Sequence, residues 1–338
     1  MQYAVLGDIH FKKCKPNETI YREKVLEFIS KTLKEKNIKK VIQLGDFFND
    51  RKTIDVNLYH EVIDLMEKYF GFLDTFIVLL GNHDSYYTNT NYVNSPSMMP
   101  NFMRLKFEIL QSAVSMDNML LVPWIDENNA DECFELLETS NDVFCLGHFE
   151  INGFEMVRGI VSTDKLKMEM FNKFKFVLSG HYHLTQQNKN ITYVGSLFQN
   201  NFGDCDDTKR FFIIDTEKNT VEEIKIPVEF YKKVSINTEQ DMEVFPIGFY
   251  ADKKLQLVLN LPTSVKREKF IDKVSENLED YNIIDNSMLY EEKAEVSFDE
   301  DLSKTFSDYV LQNNSYDETK KQRLNKMFVD IYDKVVNI

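Results

Sequence analysis

The stretch Phe76-Ile77-Val78-Leu79-Leu80-Gly81-Asn82-His83-Asp84 decides how the chain reads. Five consecutive apolar residues fit a strand buried on both faces, and the run stops at a glycine followed by an amide, an imidazole and a carboxylate. The same pattern recurs elsewhere: 3–6 before Gly7, Asp8 and His10; 41–44 before Gly45 and Asp46; 143–146 before Gly147 and His148; 176–178 before Ser179, Gly180, His181 and His183. Five of the six histidines fall in these clusters. If the strands pair in one core, their C-terminal ends gather these groups at a single edge, as a two-metal site requires.

Between the first three clusters the apolar period changes from strand to helix. Residues 18–36 carry Ile20, Val25, Phe28, Ile29 and Leu33, and 56–70 carry Leu58, Val62, Ile63, Leu65, Met66 and Tyr69, both near the helical repeat. Strand, helix, strand at this spacing predicts right-handed crossovers and a mainly parallel sheet, which binds ligands beyond the carboxyl ends of its strands. Residues 191–194 and 211–215 read as further strands, expected to complete a second sheet in the same domain.

With 338 residues and 43% apolar content, the chain has material for one large domain or a catalytic domain with smaller appendages. No apolar run approaches the roughly 18 residues that cross a bilayer. The start of the chain reads directly as a strand with no leader, so a cytoplasmic protein is expected, with no membrane association. Cys14, Cys133, Cys145 and Cys205 form no C-x-x-C pair and read as reduced structural thiols. A net charge of −15 argues against a simple cationic nucleic-acid binder, because phosphate contacts normally rely on Lys and Arg. Metal-bound carboxylates would lose part of that charge locally. Basic clusters at Lys12, Lys13 and Lys15, at Arg51 and Lys52, and at Lys165, Lys167, Lys173 and Lys175 are either substrate contacts or solvated surface charges.

The residue types suit one chemistry. Imidazoles and carboxylates bind divalent Mn, Mg, Fe or Zn, and a carboxylate such as Asp46 can bridge two ions. Two ions about 3.5–4 Å apart activate a water and neutralise charge on attacking and leaving oxygens during displacement at phosphorus. Glycines before the clusters let the backbone turn sharply. His60, alone in a helical stretch, is given no role.

Near Val228 the texture changes. Residues 232–237, 254–261 and 281–290 read as strands and 266–278 as a helix, a small α/β module without histidine. After the charged residues 291–295 come two amphipathic helices, about 301–312 and 317–336. The second opens with Ser315 and Glu318 as a capping-box pair and carries Leu324, Met327, Phe328, Ile331, Tyr332 and Val335 on one stripe. That stripe either packs on its own domain or docks on a partner's helices.

The ordered clusters D-x-H, G-D, G-N-H-D, G-H and G-H-x-H resemble the calcineurin-like metallophosphoesterase superfamily. Within it the chain is similar to the SbcD-type DNA double-strand-break repair nucleases, most of all to the recombination endonuclease subunits of T-even-like phages. Val122-Pro123-Trp124, the segment from Gly147 to Phe154, and Tyr193-Val194-Gly195-Ser196 extend the likeness. The resemblance implies an α/β sandwich of two packed mixed sheets flanked by helices. It divides the chain into a nuclease domain (1–228), a DNA-facing α/β cap (229–292), and a linker with a helical ATPase-docking element (293–338). It also implies one metal held by Asp8, His10, Asp46 and His183 and a second by Asp46, Asn82, His148 and His181. His83 would be the catalytic histidine at the leaving oxygen, oriented by a hydrogen bond to Asp84. The docking stripe would meet the coiled coil of an SbcC-type ATPase.

In many cellular members a second catalytic histidine stands where this chain has Asn49, which can donate a hydrogen bond to phosphate but cannot shuttle a proton. Asn49, Arg51 and Lys52 are therefore the expected substrate contacts. The implied function is a manganese-dependent DNA nuclease, with magnesium as the alternative ion. It would be a 3′-to-5′ exonuclease on linear duplex ends with single-strand endonuclease capacity, acting as a homodimer within a heterotetramer with the ATPase. Two other classes stay open: a phosphatase or small-molecule phosphodiesterase of the same superfamily, and a non-catalytic adaptor between DNA ends and an ATPase. Leu80 occupies the position where protein phosphatases carry arginine, and an adaptor has no need of a full ligand set.

Overall fold

The computed structural model describes residues 1–163, 166–290, 310 and 316–336, with side chains to 328. Among the described residues up to Lys225, fourteen strands and three helices carry the donor-bearing edge and its support. They begin β1 (Gln2–Leu6), α1 (Pro16–Glu35), β2 (Lys40–Gln43), α2 (Val56–Phe70) and β3 (Thr75–Leu79). Pro16 opens α1, where its missing N–H costs nothing. Asp55 caps α2 through Oδ1, which accepts from Asn57 N at 2.8 Å and Leu58 N at 3.3 Å.

After β4 (Phe107–Leu110), β5 (Val114–Met116) and β6 (Met119–Val122) comes α3 (Ala130–Thr139). Then follow β7 (Phe144–His148), the hairpin of β8 (Glu155–Val157) and β9 (Ile160–Val161), β10 (Phe176–Gly180), β11 (Gln186–Asn188), β12 (Ile191–Tyr193), β13 (Arg210–Asp215) and β14 (Thr220–Lys225). One six-stranded sheet has the order β14-β13-β1-β2-β3-β4 and the other β11-β12-β10-β7-β6-β5. Strands β1 to β4 run parallel, as do β6, β7, β10 and β12. One expectation is corrected: the 211–215 strand joins the first sheet, antiparallel to β1, rather than the second.

Side-chain alternation stacks the layers. Tyr3 and Val5, with Ile42, Ile77 and Leu79, share an inner core with Leu121, Phe144, Leu146, Leu178 and Val194 of the other sheet. Ala4, Leu6, Val41 and Val78 point the opposite way, onto Val25, Leu26, Ile29, Val62, Met66 and Phe70 of the helices. Leu120, Val122, Cys145 and Val177 pack against Cys133 and Leu137 of α3. Both faces of the central strands are therefore buried, which is why they read as unbroken apolar runs, and each such side chain contributes about 2 kcal/mol. The result is the mixed α/β sandwich of two large sheets flanked by helices. All four cysteines are free thiols.

Within α1 the buried face differs from the expected one: Ile20 is 51% exposed, while Tyr21 and Arg22 turn inward.

The later module contains β15 (Tyr231–Ile236), the short α4 (Glu239–Glu243), β16 (Lys254–Leu259), α5 (Val265–Asn277) and β17 (Tyr281–Asp285). Its strands form a parallel sheet with β16 in the middle. The 254–261 and 281–290 strands are thus shorter than expected. Internal contacts group Met1–Leu259 and Ser264–Asp285 as one unit; Asn260–Thr263 and Asn286–Ile338 form the other.

In that second unit a helix spans Glu318–Val336. Its cap is Asp317, whose Oδ1 accepts from Lys320 N at 2.8 Å; the expected cap Ser315 lies outside the described residues. So do the 291–295 stretch, the 301–312 helix apart from Val310, and Asp164 with Lys165. Of the expected docking stripe, Leu324 and Phe328 are half-buried and Met327 is 51% exposed, while the side chains of Ile331, Tyr332 and Val335 lie outside the described set. No helix among the described residues is long and apolar enough to cross a membrane.

Candidate metal centre

The five clusters meet at one edge of the two sheets. Asp8 and His10 follow β1, Asp46 follows β2, Asn82 and His83 follow β3, His148 ends β7, and His181 and His183 follow β10. The approach is close enough to exclude side chains on the turns. A methyl group on Gly81 would run into the amide nitrogen and Oδ1 of Asp46, and Gly45 sits at φ +99°, a conformation glycine adopts without strain. His10, Asp46 and His181 also hold positive φ angles, 49°, 56° and 88°, the kind of backbone strain that persists where surrounding structure enforces it.

Two groups of donor atoms result, Asp8–His10–His183 and Asp46–His148–His181. In the first, His10 Nε2 lies 2.9 Å from His183 Nε2, and Asp8 Oδ2 lies 3.9 and 3.8 Å from those two nitrogens. In the second, Asn82 Oδ1 lies 3.0 Å from His148 Nε2 and 2.9 Å from His181 Nδ1. Asp46 faces both groups: Oδ2 is 3.6 Å from His10 Nε2 and Oδ1 is 3.5 Å from His148 Nε2.

These separations fit a bound cation better than they fit hydrogen bonds alone. Ligands about 2.1 Å from an octahedral ion lie about 3 Å apart. His148 Nδ1 donates to the Leu44 carbonyl at 2.7 Å, so its Nε2 carries a lone pair toward two oxygens that also only accept, Asn82 Oδ1 and Asp46 Oδ1. Burial keeps the ring neutral, pushing His148 down to about 4 against the pull of Asp46. Burial likewise pushes His10 down to about 3 and lowers His183. Three lone pairs converging without a proton between them leave a gap that a cation would fill.

The carboxylates are supported from the backbone. Asp8 accepts from His181 N at 3.0 and 3.1 Å and Asp46 Oδ1 from His83 N at 2.8 Å. Burial and then the Asp46 charge push Asp8 up. Asp84 is buried, and burial followed by the Asp46 charge pushes it up to about 8.

Asp84 makes no hydrogen bond to the His83 ring, contrary to expectation. Its oxygens accept from Phe47 N at 2.9 Å, Phe48 N at 3.2 Å and Gly81 N at 2.8 Å, tying two ligand loops together. His83 is oriented instead by the main-chain carbonyl of Asn49, 2.7 Å from Nδ1. The Asn49 side chain donates to Asp50 Oδ1 at 3.2 Å. Arg51 and Lys52 line a cavity of about 550 Å³ with Tyr59, Ile63, Tyr86 and Phe102, and none of the clustered donors lines it.

Two residues that entered the sequence reading only as part of the resemblance, with no site role, also border the donors. Trp124 lies with ring centroids 5.3 Å from His181 and 5.8 Å from His148. Glu150 Oε1 is 3.6 Å from His181 Nε2. Two cavities border the donors: one of about 480 Å³ is lined by His181, His183, Met156 and Arg158, and one of about 420 Å³ by His148, Trp124 and Glu150.

Fold and donor set together define a phosphoesterase with candidate divalent-metal sites, and residues 1–184 match the calcineurin-like phosphoesterase family model. The chain belongs to that family, whose members hydrolyse phosphate esters with divalent metals. It is 29% identical to exonuclease subunit 1 of Enterobacteria phage T4 over 292 residues, 82% of each chain. It is also 26% identical to the putative phosphoesterase 244L of Invertebrate iridescent virus 6 over 222 residues, 62% of this chain and 74% of the viral one.

Proposed function

We propose that the chain is a metal-dependent DNA nuclease that cleaves phosphodiester bonds. The observation that carries this is Asp46, whose two oxygens address two separate donor groups at the same sheet edge. The similarity to a phage exonuclease subunit supports DNA as the substrate.

Asp8, His10, Asp46 and His183 would hold one ion, and Asp46, Asn82, His148 and His181 the other. Bound there, the ions would supply Lewis-acid charge at the phosphate and a water acidified toward neutral pH. The protein's own part is orientation. The Leu44 carbonyl fixes the tautomer of His148, and the Asp8 carboxylate holds the His181 backbone. The Asn49 carbonyl accepts from Nδ1 of His83, so that in the imidazolium form Nε2–H would donate its proton to the departing oxygen and leave the ring neutral. Asp84 joins the Asp46 and Gly81 loops so that these groups keep their spacing. Trp124 and the flanking cavities give the neighbouring nucleotides room.

Manganese is the ion we assign, and the action is 3′-to-5′ exonuclease on linear duplex ends with endonuclease capacity on single strands. Residues 229–292 would face DNA as a cap, with Arg51 and Lys52 as outlying phosphate contacts. The helix Glu318–Val336 would dock on an SbcC-type ATPase, in a heterotetramer built on a dimer of this chain. The protein would work in the cytoplasm of the host cell. Incubating end-labelled linear duplex and single-stranded DNA with each ion, with and without the ATPase, tests the set. Shortening of the labelled duplex in manganese supports it; intact DNA alongside rapid turnover of nitrophenyl phosphates would favour a phosphatase.

A further inference from the structure

Two cations are buried beside the first donor group. Arg22, on α1, is 5% exposed and Lys209, just before β13, is 2% exposed. Arg22 Nη1 donates to the carbonyls of His10 at 3.1 Å and Ile9 at 3.3 Å. Lys209 Nζ donates to the carbonyl of His183 at 3.0 Å. The two imidazoles whose Nε2 atoms meet at 2.9 Å are thus each gripped through the main chain by a different buried cation.

Burying a cation is costly unless it is paired, and both are paired. Arg22 Nη2 donates to Glu18 Oε1 at 3.3 Å and Asn200 Oδ1 at 3.1 Å, and its guanidinium stacks 4.5 Å over the Phe198 ring. Lys209 sits 3.0 Å from Asp207 Oδ2 and 3.5 Å from Asp204 Oδ1. Asn200, Asp204 and Asp207 all belong to the loop between β12 and β13, and Asn200 N donates to Asp204 Oδ2 at 2.7 Å. That loop therefore braces both grips.

His10 needs such a hold because its φ of 49° is unfavourable for a side chain with a Cβ. Its N–H donates to the Asp46 carbonyl at 2.9 Å, and Arg22 holds the other end of the residue. The second donor group is fixed differently, by the Leu44 carbonyl on His148 and the Asp8 carboxylate on the His181 backbone.

We infer that Arg22 and Lys209 are positioning residues for the Asp8–His10–His183 ion position: they set the His10–His183 separation and so the affinity of that position, leaving the other largely unaffected. This rests on reading the two donor groups as ion sites. An ion linking two imidazoles tolerates little displacement, because its ligands must stay near 2.1 Å.

Metal-free wild type, R22M, K209M, R22K and N200A are titrated with manganese. Bound ions are counted by electron paramagnetic resonance, which also separates a coupled ion pair from a single ion, and folding is followed by circular dichroism. Wild type is expected to take two ions and show the coupled signal. R22M and K209M are expected to keep one tight ion while the second weakens at least tenfold, replacing the coupled signal by a mononuclear one. R22K, whose ammonium can still reach one carbonyl, should recover part of the second ion's affinity. If R22M fails to fold, N200A, which leaves Arg22 in place but removes a brace, is expected to weaken the same ion to a smaller degree. Folded variants that bind two ions with wild-type affinity, or that lose both ions equally, would overturn the inference. A wild-type chain that binds no ion pair would instead overturn the metal-site reading beneath it.

Discussion

At the scale of single residues, the roles proposed for Asp46 and His83 separate cleanly. Asp46→Asn removes the charge shared between two donor groups, so both ions should be lost and hydrolysis abolished; elemental analysis of the purified variant checks this. His83 is absent from both groups of metal donors and on the proposed mechanism would act through one ring nitrogen, so His83→Gln should keep its ions while cleavage falls by ~10²–10⁴-fold. Equal metal content with unchanged cleavage would remove His83 from the mechanism. Gly81→Ala drives a methyl group into Asp46; displacing that carboxylate by even about 1 Å should cost about 10²-fold in activity, read as kcat with the fold intact by circular dichroism. The residues that orient the site were the least legible in the sequence. Main-chain carbonyls such as those of Leu44 and Asn49 exist at every position, and nothing in the side-chain pattern marks the ones that anchor a histidine. Arg22 reads as one more surface charge on a helix because its neighbour Ile20, the apolar residue that attracts attention, turns outward instead.

At the scale of elements, the strands that carry the donors were legible because burial on both faces removes polar residues from them, and because each ends at a glycine required by close approach. Helix Val56–Phe70 was legible too, through its period, although its Asp55 cap was not singled out. The placement of Arg210–Asp215 was not, since a run buried on both faces fits either sheet equally well. Short segments such as Val114–Met116, half-buried and mixed in polarity, carry no periodic signal long enough to read. Asp84 acts at this scale as well, joining the turns after β2 and β3. Asp84→Ala leaves three N–H groups without their acceptor and should lower stability by about 3 kcal/mol, measured by urea denaturation of the metal-free protein. In the helix Glu318–Val336, Asp317→Ala removes the cap and should cost about 1 kcal/mol; faster hydrogen exchange confined to the first turn of that helix is the expected reading.

At the scale of the molecule, two sheets back to back present their carboxyl ends along a common edge, where Asp8 and Asp46 lie among the histidines that could hold cations. On the proposed reading the net charge of −15 would not argue against a nucleic-acid substrate, because the charge meeting the phosphate would be that of the cation-loaded centre. The most direct measurement is the fate of 5′-end-labelled linear duplex DNA incubated with manganese-loaded wild type and with Asp46→Asn. A ladder of progressively shorter labelled strands from wild type, abolished by chelation and absent from the variant, is the expected result. Labelled DNA left at full length by wild type carrying two manganese ions would contradict the account.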